Sequence, residues 1–328
     1  MLAEANRSTT VVQILDDGEA ERIHDLAATT AQEYGTVDNP EFLAEVAVIA
    51  HELPRSVRST MNRARLDDTR HATVVSNHRI DREALERTPG HWREADTPGS
   101  RTAAFLVMIY AALLGETIGW ASQQDGRLVT DVVPTPGQED SLISSSSQTR
   151  LGWHTEDAFF ASRGDYIGLL CLRNPTDTPT TLSYLDPGRL HPGTLDLLQQ
   201  PRFRIRPDPS HLHYADLDGA EGLLPVVTGP LEAPMLRVDR DFTTAAPGDH
   251  AAERALAELV GHLDANLYGA TLRPGDLCFL DNRNVVHGRE AFSPRYDGSD
   301  RWLKRANVVA DLRRTRNDRR SAATRVVG

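Results

Sequence analysis

Three residues of this 328-residue chain have the types and spacing to hold a metal ion. His154 and Glu156 stand two apart in the run Leu151-Gly-Trp-His-Thr-Glu-Asp-Ala-Phe159, and on a strand such a pair shares one face. Far downstream, the run that starts at Gly275 reads strand, turn, strand and ends on a second histidine, His287. Two imidazoles and one carboxylate on one side of a metal leave three positions open, an arrangement suited to non-haem Fe(II) oxygen chemistry. The same ligands also suit a hydrolytic zinc site. With 12 histidines and 47 acidic residues in the chain, His-x-Glu is a weak signal by itself. A competing pair, His211-x-His213, sits in a polar, turn-rich stretch, a poor place for rigid coordination.

A second pattern is acidic. Met235-Leu-Arg-Val-Asp-Arg-Asp-Phe242 sets Asp239 and Asp241 two apart, facing one space if the chain there is extended. Two such carboxylates repel each other unless a cation lies between them. Read alone, the pair is a solvated acidic loop.

These residues need elements to position them. Asp17 to Tyr34 has apolar residues near helical spacing behind an acidic start. Asn39-Pro40-Glu41 predicts a helix start, with Asn39 as N-cap and Pro40 at the first helical position, and the helix breaks or kinks at Pro54. Residues 66–100 carry no clear period. Thr102 to Glu116 is apolar on nearly all sides and predicts a buried helix packed on a sheet. From residue 117 the texture changes to short strands bounded by Gly, Pro, Asp or Asn, SLISS among them, which predicts an all-β sandwich or barrel. One helix interrupts it, from His250 to Tyr268. Residues 207–222 are too long for a hairpin and read as a lid. Residues 313–328 form a basic tail without apolar period, expected to be mobile. The chain is thus expected to be one domain over 1–312, helical to about 116 and β-rich from 117 to 312.

The net charge of -11 argues against non-specific nucleic-acid binding, which needs a basic footprint, and favours a cationic small molecule through steering. Cys171 and Cys278 lie in apolar runs and read as core residues of a reducing compartment. Met1 to Thr10 lacks the regions of a signal peptide, and the longest apolar stretch is shorter than the ~20 residues that span a bilayer. The expectation is a soluble, cytoplasmic protein with neither membrane nor nucleic-acid partner. Oligomeric state is not legible.

The runs WHTEDAF, YIGLLCLRNP and DLCFLDNRNVVHGREAFSPRYDGSDRWLKR together resemble the clavaminate synthase-like branch of the Fe(II)/2-oxoglutarate oxygenases, and within it the bacterial arginine hydroxylases of peptide-antibiotic pathways. The resemblance covers roughly residues 100–312. It implies a mainly β fold with flanking helices (α+β) built on a double-stranded β-helix, or jelly roll. It implies His154, Glu156 and His287 as iron ligands, with Glu where many relatives use Asp. Arg301, fourteen residues past His287, is implied as the partner of the distal 2-oxoglutarate carboxylate, which its planar fork fits; without the resemblance it reads as a surface arginine. Thr181 is the implied hydroxyl beside that carboxylate, with Thr180 as the alternative.

The substrate side is implied in the same way. Asp239 and Asp241 grip a guanidinium, Arg305 pairs with the α-carboxylate, and Gln123 and Glu156 accept the α-ammonium. Ser144 lines the pocket, and Asp208 and Ser210 belong to the lid. The activity implied is hydroxylation of free L-arginine at C3, with C4 as a second position, using Fe(II), 2-oxoglutarate and O2 and releasing succinate and CO2. Enduracididine and lysine are the rival substrates. A zinc hydrolase leaves Arg301 and the acidic pair without a role, and a cupin-like binding protein with a vestigial metal site leaves unexplained why every clamp is intact.

Overall fold

The computed structural model describes residues 9–211 and 222–328. The first part of the chain runs β1 (Thr10–Ile14), α1 (Asp17–Tyr34), α2 (Pro40–Ile49), α3 (Arg55–Leu66), β2 (Ala72–Ser76), α4 (Arg82–Leu85) and α5 (Pro98–Ala111). Local chemistry sets these boundaries. Asp16 and Glu19 form a capping box at α1, and Gly35 ends that helix at φ +73°. Asn39 caps α2 with Pro40 behind it, and the path breaks before Pro54, which precedes α3. Thr97 and Pro98 start α5 four residues earlier than the apolar run predicts. Residues 103–111 of α5 are all buried, between α1 and the sheet. Each large side chain there contributes about 1.5–3 kcal/mol by leaving water.

The rest of the chain contains β3 (Glu116–Trp120), β4 (Val129–Val132), β5 (Leu151–His154), β6 (Tyr166–Arg173), β7 (Thr180–Tyr184), α6 (Pro192–Leu198) and β8 (Phe203–Ile205). It continues with β9 (Val227–Thr228), β10 (Met235–Leu236), β11 (Thr243–Ala245), α7 (His250–Ala265), β12 (Tyr268–Ala270) and β13 (Leu277–Asp281). It ends with β14 (Val285–Arg289), β15 (Trp302–Val309) and β16 (Val326–Val327). The large sheet has the order β1-β2-β13-β6-β15-β3-β16, with β4 also on β15, and a four-stranded sheet has the order β12-β7-β14-β5. Side chains alternate cleanly between faces. Leu169, Cys171, Leu182, Val285 and Leu303 meet between the sheets. Leu170, Leu172, Trp302 and Val308 pack outward on the N-terminal helices, and Trp153 and Val286 pack outward with α7. The mainly β jelly-roll core with flanking helices is present as expected.

Three expectations need correction. The N-terminal part is not purely helical: β2 pairs with β13, and β1 runs parallel to β2, so the large sheet extends back before residue 117. A five-residue strand covered by neighbours on both faces shows no alternation to read. SLISS is a looped segment, folded on itself through Ser146 N–H to the Ile143 carbonyl. The basic tail is tied down, because β16 pairs with β3, Val327 is fully buried and Arg325 bridges Glu116 and the Leu43 carbonyl. Of the predicted lid, residues 212–221 lie outside the described residues, and His213 with them. Among the described residues no helix is long and apolar enough to cross a membrane. Both cysteines are buried and unpaired.

Candidate active site

β5 and β14 run antiparallel with His154 directly opposite His287, which sets the two imidazoles 4.7 Å apart, centroid to centroid. Gly288, next to His287, allows this approach, because a side chain there would meet the Leu151 carbonyl and the Thr181 hydroxyl. Glu156 lies just past β5, and its Oε2 stands 3.4 Å from His154 Nε2 and 3.2 Å from His287 Nε2. The ligand atoms of the three residues lie within 4.8 Å of one another, the one such group among the described residues. The Gly152 carbonyl, 2.9 Å from Nδ1 of His154, takes that nitrogen as donor and leaves Nε2 for a metal. Asn282, fully buried in the β13–β14 turn, pins Glu156 from both sides. It accepts from Glu156 N–H at 2.6 Å and donates to its carbonyl at 3.1 Å.

The electrostatics suit a divalent cation. Burial opposes charge on all three groups, yet Arg305 and the imidazoles hold Glu156 well below the usual carboxylate range. Despite its burial His154 is raised to about 9, chiefly by Glu156, while burial lowers His287. A metal dication takes the place of the proton shared in this cluster, so its affinity grows as pH rises. The donor set, two nitrogens and one oxygen with further positions open, fits a catalytic iron site.

The three residues face an open cavity, about 980 Å³ with the solvent in its mouth included. Arg301, Leu303 and Arg305 reach it from the inner face of β15 and the residue before it. Arg301 is buried, its Nε has no hydrogen-bond partner, and among the described residues no carboxylate lies within 4.0 Å of its guanidinium. Burial alone pushes it down to about 10. A buried guanidinium without a counter-ion is costly, and a carboxylate ligand relieves it. Thr180, not Thr181, lines this end. Strand parity puts Thr180 on the inner face with Leu182, whereas Thr181 shares the outer face with Ser183, which bonds the Leu263 carbonyl of α7.

Asp208, Asp239 and Asp241 also line the cavity. Asp239 and Asp241 are not on an extended strand, as the spacing suggested. They sit on a turn in which Asp239 Oδ1 accepts from the N–H groups of Asp241 and Phe242 at 2.8 and 3.0 Å. Burial holds Asp239 up at about 6, partly offset by His154. The turn is zipped to the metal strand: Thr155 N–H donates to the Val238 carbonyl at 2.8 Å, and His154 bridges to Asp239. Gly152 leaves room for Asp241, whose carboxylate occupies the space where a side chain at residue 152 would start.

Gln123, Ser144, Ser210 and Arg305 line the cavity as well. Gln123 and Glu156 accept hydrogen bonds from Arg305, Nη2 to Oε1 of Gln123 at 2.9 Å and Nη1 to Oε1 of Glu156 at 2.6 Å. Gln123 Nε2 donates to Ser210 Oγ at 3.0 Å, and Asp208 Oδ1 accepts from Ser210 N–H at 2.7 Å. His211 is away from the metal ligands' donor group. It is fully buried beside Asp157 (3.0 Å) and Ser122 (2.8 Å). Asn282, Asp157 and Arg289 were missed from sequence. Arg289, two residues past His287, was within reach of the parity rule that placed His154 with Glu156.

A family model described as "Taurine catabolism dioxygenase TauD, TfdA family" matches residues 227–307. The chain is 36% identical to an enduracididine beta-hydroxylase of Streptomyces hygroscopicus over 95% of this chain and 98% of that protein. It is 35% identical to an L-ornithine/L-arginine 3-hydroxylase of Catenulispora acidiphila over 92% and 95%. The fold superposes with a TM-score of 0.93 on the crystal structure of the non-heme iron oxygenase OrfP in complex with Fe, succinate and (3S)-hydroxy-L-Arg, at 37% identity over 97% of this chain and 99% of that one.

Proposed function

Because this chain belongs to the TauD/clavaminate synthase-like family of Fe(II)/2-oxoglutarate oxygenases and hydroxylates basic amino acids, we propose that its substrate is a free guanidino amino acid, L-arginine, hydroxylated at C3. Iron held by His154, Glu156 and His287, with 2-oxoglutarate and O2, supplies the oxidant that inserts oxygen into the C–H bond, giving succinate and CO2. Arg301 holds the distal carboxylate of 2-oxoglutarate, with the Thr180 hydroxyl beside it.

The observation that carries the substrate reading is the meeting of Asp208, Asp239 and Asp241 on one cavity, with no lysine or arginine of the described residues within 4.0 Å of Asp208 or Asp239. A guanidinium supplies the missing cation and spreads its donors over more than one carboxylate, which a compact lysine ammonium does not. At the other end Arg305 takes the α-carboxylate, and Gln123 and Glu156, whose oxygens already accept hydrogen bonds there, take the α-ammonium. Clamped at both ends, the amino acid turns its mid-chain carbons to the metal. Ser144 packs along the chain, and Asp208 and Ser210 form the rim that closes over it. No side chain is needed as acid or base; these residues position and exclude water. Enduracididine carries the same guanidine in a ring and is the second reading, favoured by the relative of that name.

Anaerobic reconstitution with Fe(II) and 2-oxoglutarate, followed by O2 and a panel of L-arginine, enduracididine, L-ornithine and L-lysine, tests this. The expected product is arginine heavier by one oxygen, with C3 as the site by NMR. Succinate release indifferent to every guanidino amino acid sinks the substrate assignment.

A further inference from the structure

Resting on the co-substrate reading of Arg301, we infer that Arg289 is a second arginine of the 2-oxoglutarate site, a positioning residue that ties occupancy of that site to the cavity wall formed by residues 142–149. Val285, His287 and Arg289 point inward from β14, so Arg289 enters the same cavity two residues beyond an iron ligand. It is 4% exposed, its Nε is buried without a partner, and among the described residues no carboxylate neutralises it. Arg301 is in the same condition, and the two charges are close enough to act on each other. Two buried, uncompensated guanidiniums that line one cavity draw an anion into it, and a single carboxylate has an oxygen for each. A dicarboxylate whose other end lies at the metal supplies that carboxylate.

What Arg289 holds is as telling as what it lacks. Its Nη1 donates to the Ser147 carbonyl at 3.2 Å, and its Nη2 to Ser146 Oγ at 2.9 Å and the Thr149 carbonyl at 3.1 Å. All three acceptors lie on the segment between β4 and β5 that also places Leu142, Ile143 and Ser144 on the cavity. Ser146 N–H in turn donates to the Ile143 carbonyl at 3.0 Å. Arg289 therefore stands between the co-substrate end and the substrate wall; besides these acceptors it has the Phe292 ring 5.1 Å from its guanidinium carbon, and none of these partners neutralises its charge. The anion that draws its charge inward sets the tension on that segment.

The test uses Fe(II)-loaded, oxygen-free protein and 2-oxoglutarate as probe, with affinity read from the metal-to-ligand absorption band. Arg289→Gln is expected to weaken 2-oxoglutarate at least tenfold. Hydrogen exchange of peptides covering 142–149 is expected to slow on 2-oxoglutarate addition in the wild type and not in the variant. Arg289→Lys keeps the charge but loses the fork, so it should hold 2-oxoglutarate within about threefold while losing the exchange response. If Arg289→Gln does not fold, the lysine variant decides: a wild-type exchange response in it overturns the inference. A 2-oxoglutarate affinity within twofold of wild type in Arg289→Gln also overturns it, leaving Arg289 a strut for the segment. Failure of the wild type itself to form the band would sink the co-substrate reading, and this inference with it.

Discussion

The guanidinium of Arg305 grips one oxygen of the Glu156 carboxylate, Nη1 to Oε1 at 2.6 Å, while the other oxygen, Oε2, faces both metal-binding imidazoles at 3.4 and 3.2 Å. One carboxylate is thus divided between two tasks. Its Oε2 would be the oxygen offered to iron, while its Oε1 is engaged by Arg305. In the proposed binding mode the same Oε1 also accepts the substrate ammonium.

Arg305→Gln removes that grip and the proposed partner of the substrate α-carboxylate. A charge-assisted hydrogen bond lost at a buried site costs about 1.5–3 kcal/mol, or ~10–100-fold. The expected outcome is a KM for L-arginine raised by that factor and more succinate formed per hydroxylated product. An unchanged KM and coupling ratio would show that Arg305 serves only the fold.

The pH dependence of substrate capture follows from Asp239. Burial first of all, with His154 opposing, leaves its carboxyl at about 6. It is ionised above that pH and neutral below it, so its attraction for a guanidinium is lost as pH falls through about 6. The kcat/KM for L-arginine should show an acid limb there, and Asp239→Asn should remove the limb while lowering the plateau. A profile level down to pH 5 contradicts the assignment.

Gly152→Ala tests the acidic pair without touching a charge. The added methyl displaces the Asp241 carboxylate that fills its space. KM for L-arginine should rise about tenfold, the worth of one charge-assisted hydrogen bond, with iron content by metal analysis unchanged. Loss of iron together with KM would mean that the change acts through His154 instead.

The basic tail offers a stability test. Val327 is fully buried beside Trp120, and β16 extends the large sheet. Val327→Asp buries an unpaired carboxylate and should destabilise the fold by about 3 kcal/mol or more, read by chemical denaturation. A loss below about 0.5 kcal/mol would show that β16 is not held on β3 in solution.

What the sequence determined by itself was whatever a short stretch of strand encodes. His154 with Glu156 and His287 as the metal group were legible because the family resemblance carried by the runs around them raised a two-residue spacing that is weak by itself. The caps of the first two helices were legible from their own local residues. The tertiary structure decided what depends on which face of a strand turns inward and which strand lies next to it. It put Thr180 rather than Thr181 on the cavity, because Leu182 is committed to the interior. It moved β1, β2 and β16 into the large sheet: β2 is buried along nearly its whole length and shows no alternation, β1 leaves the apolar Val12 and Ile14 exposed, and β16 is too short to carry a pattern. It brought Arg305 onto Glu156 across 149 residues of chain, and Asn282 beneath Glu156 across 126. Contacts of that separation arise from the register of β5, β6, β14 and β15, and no local pattern in any one of those strands contains it.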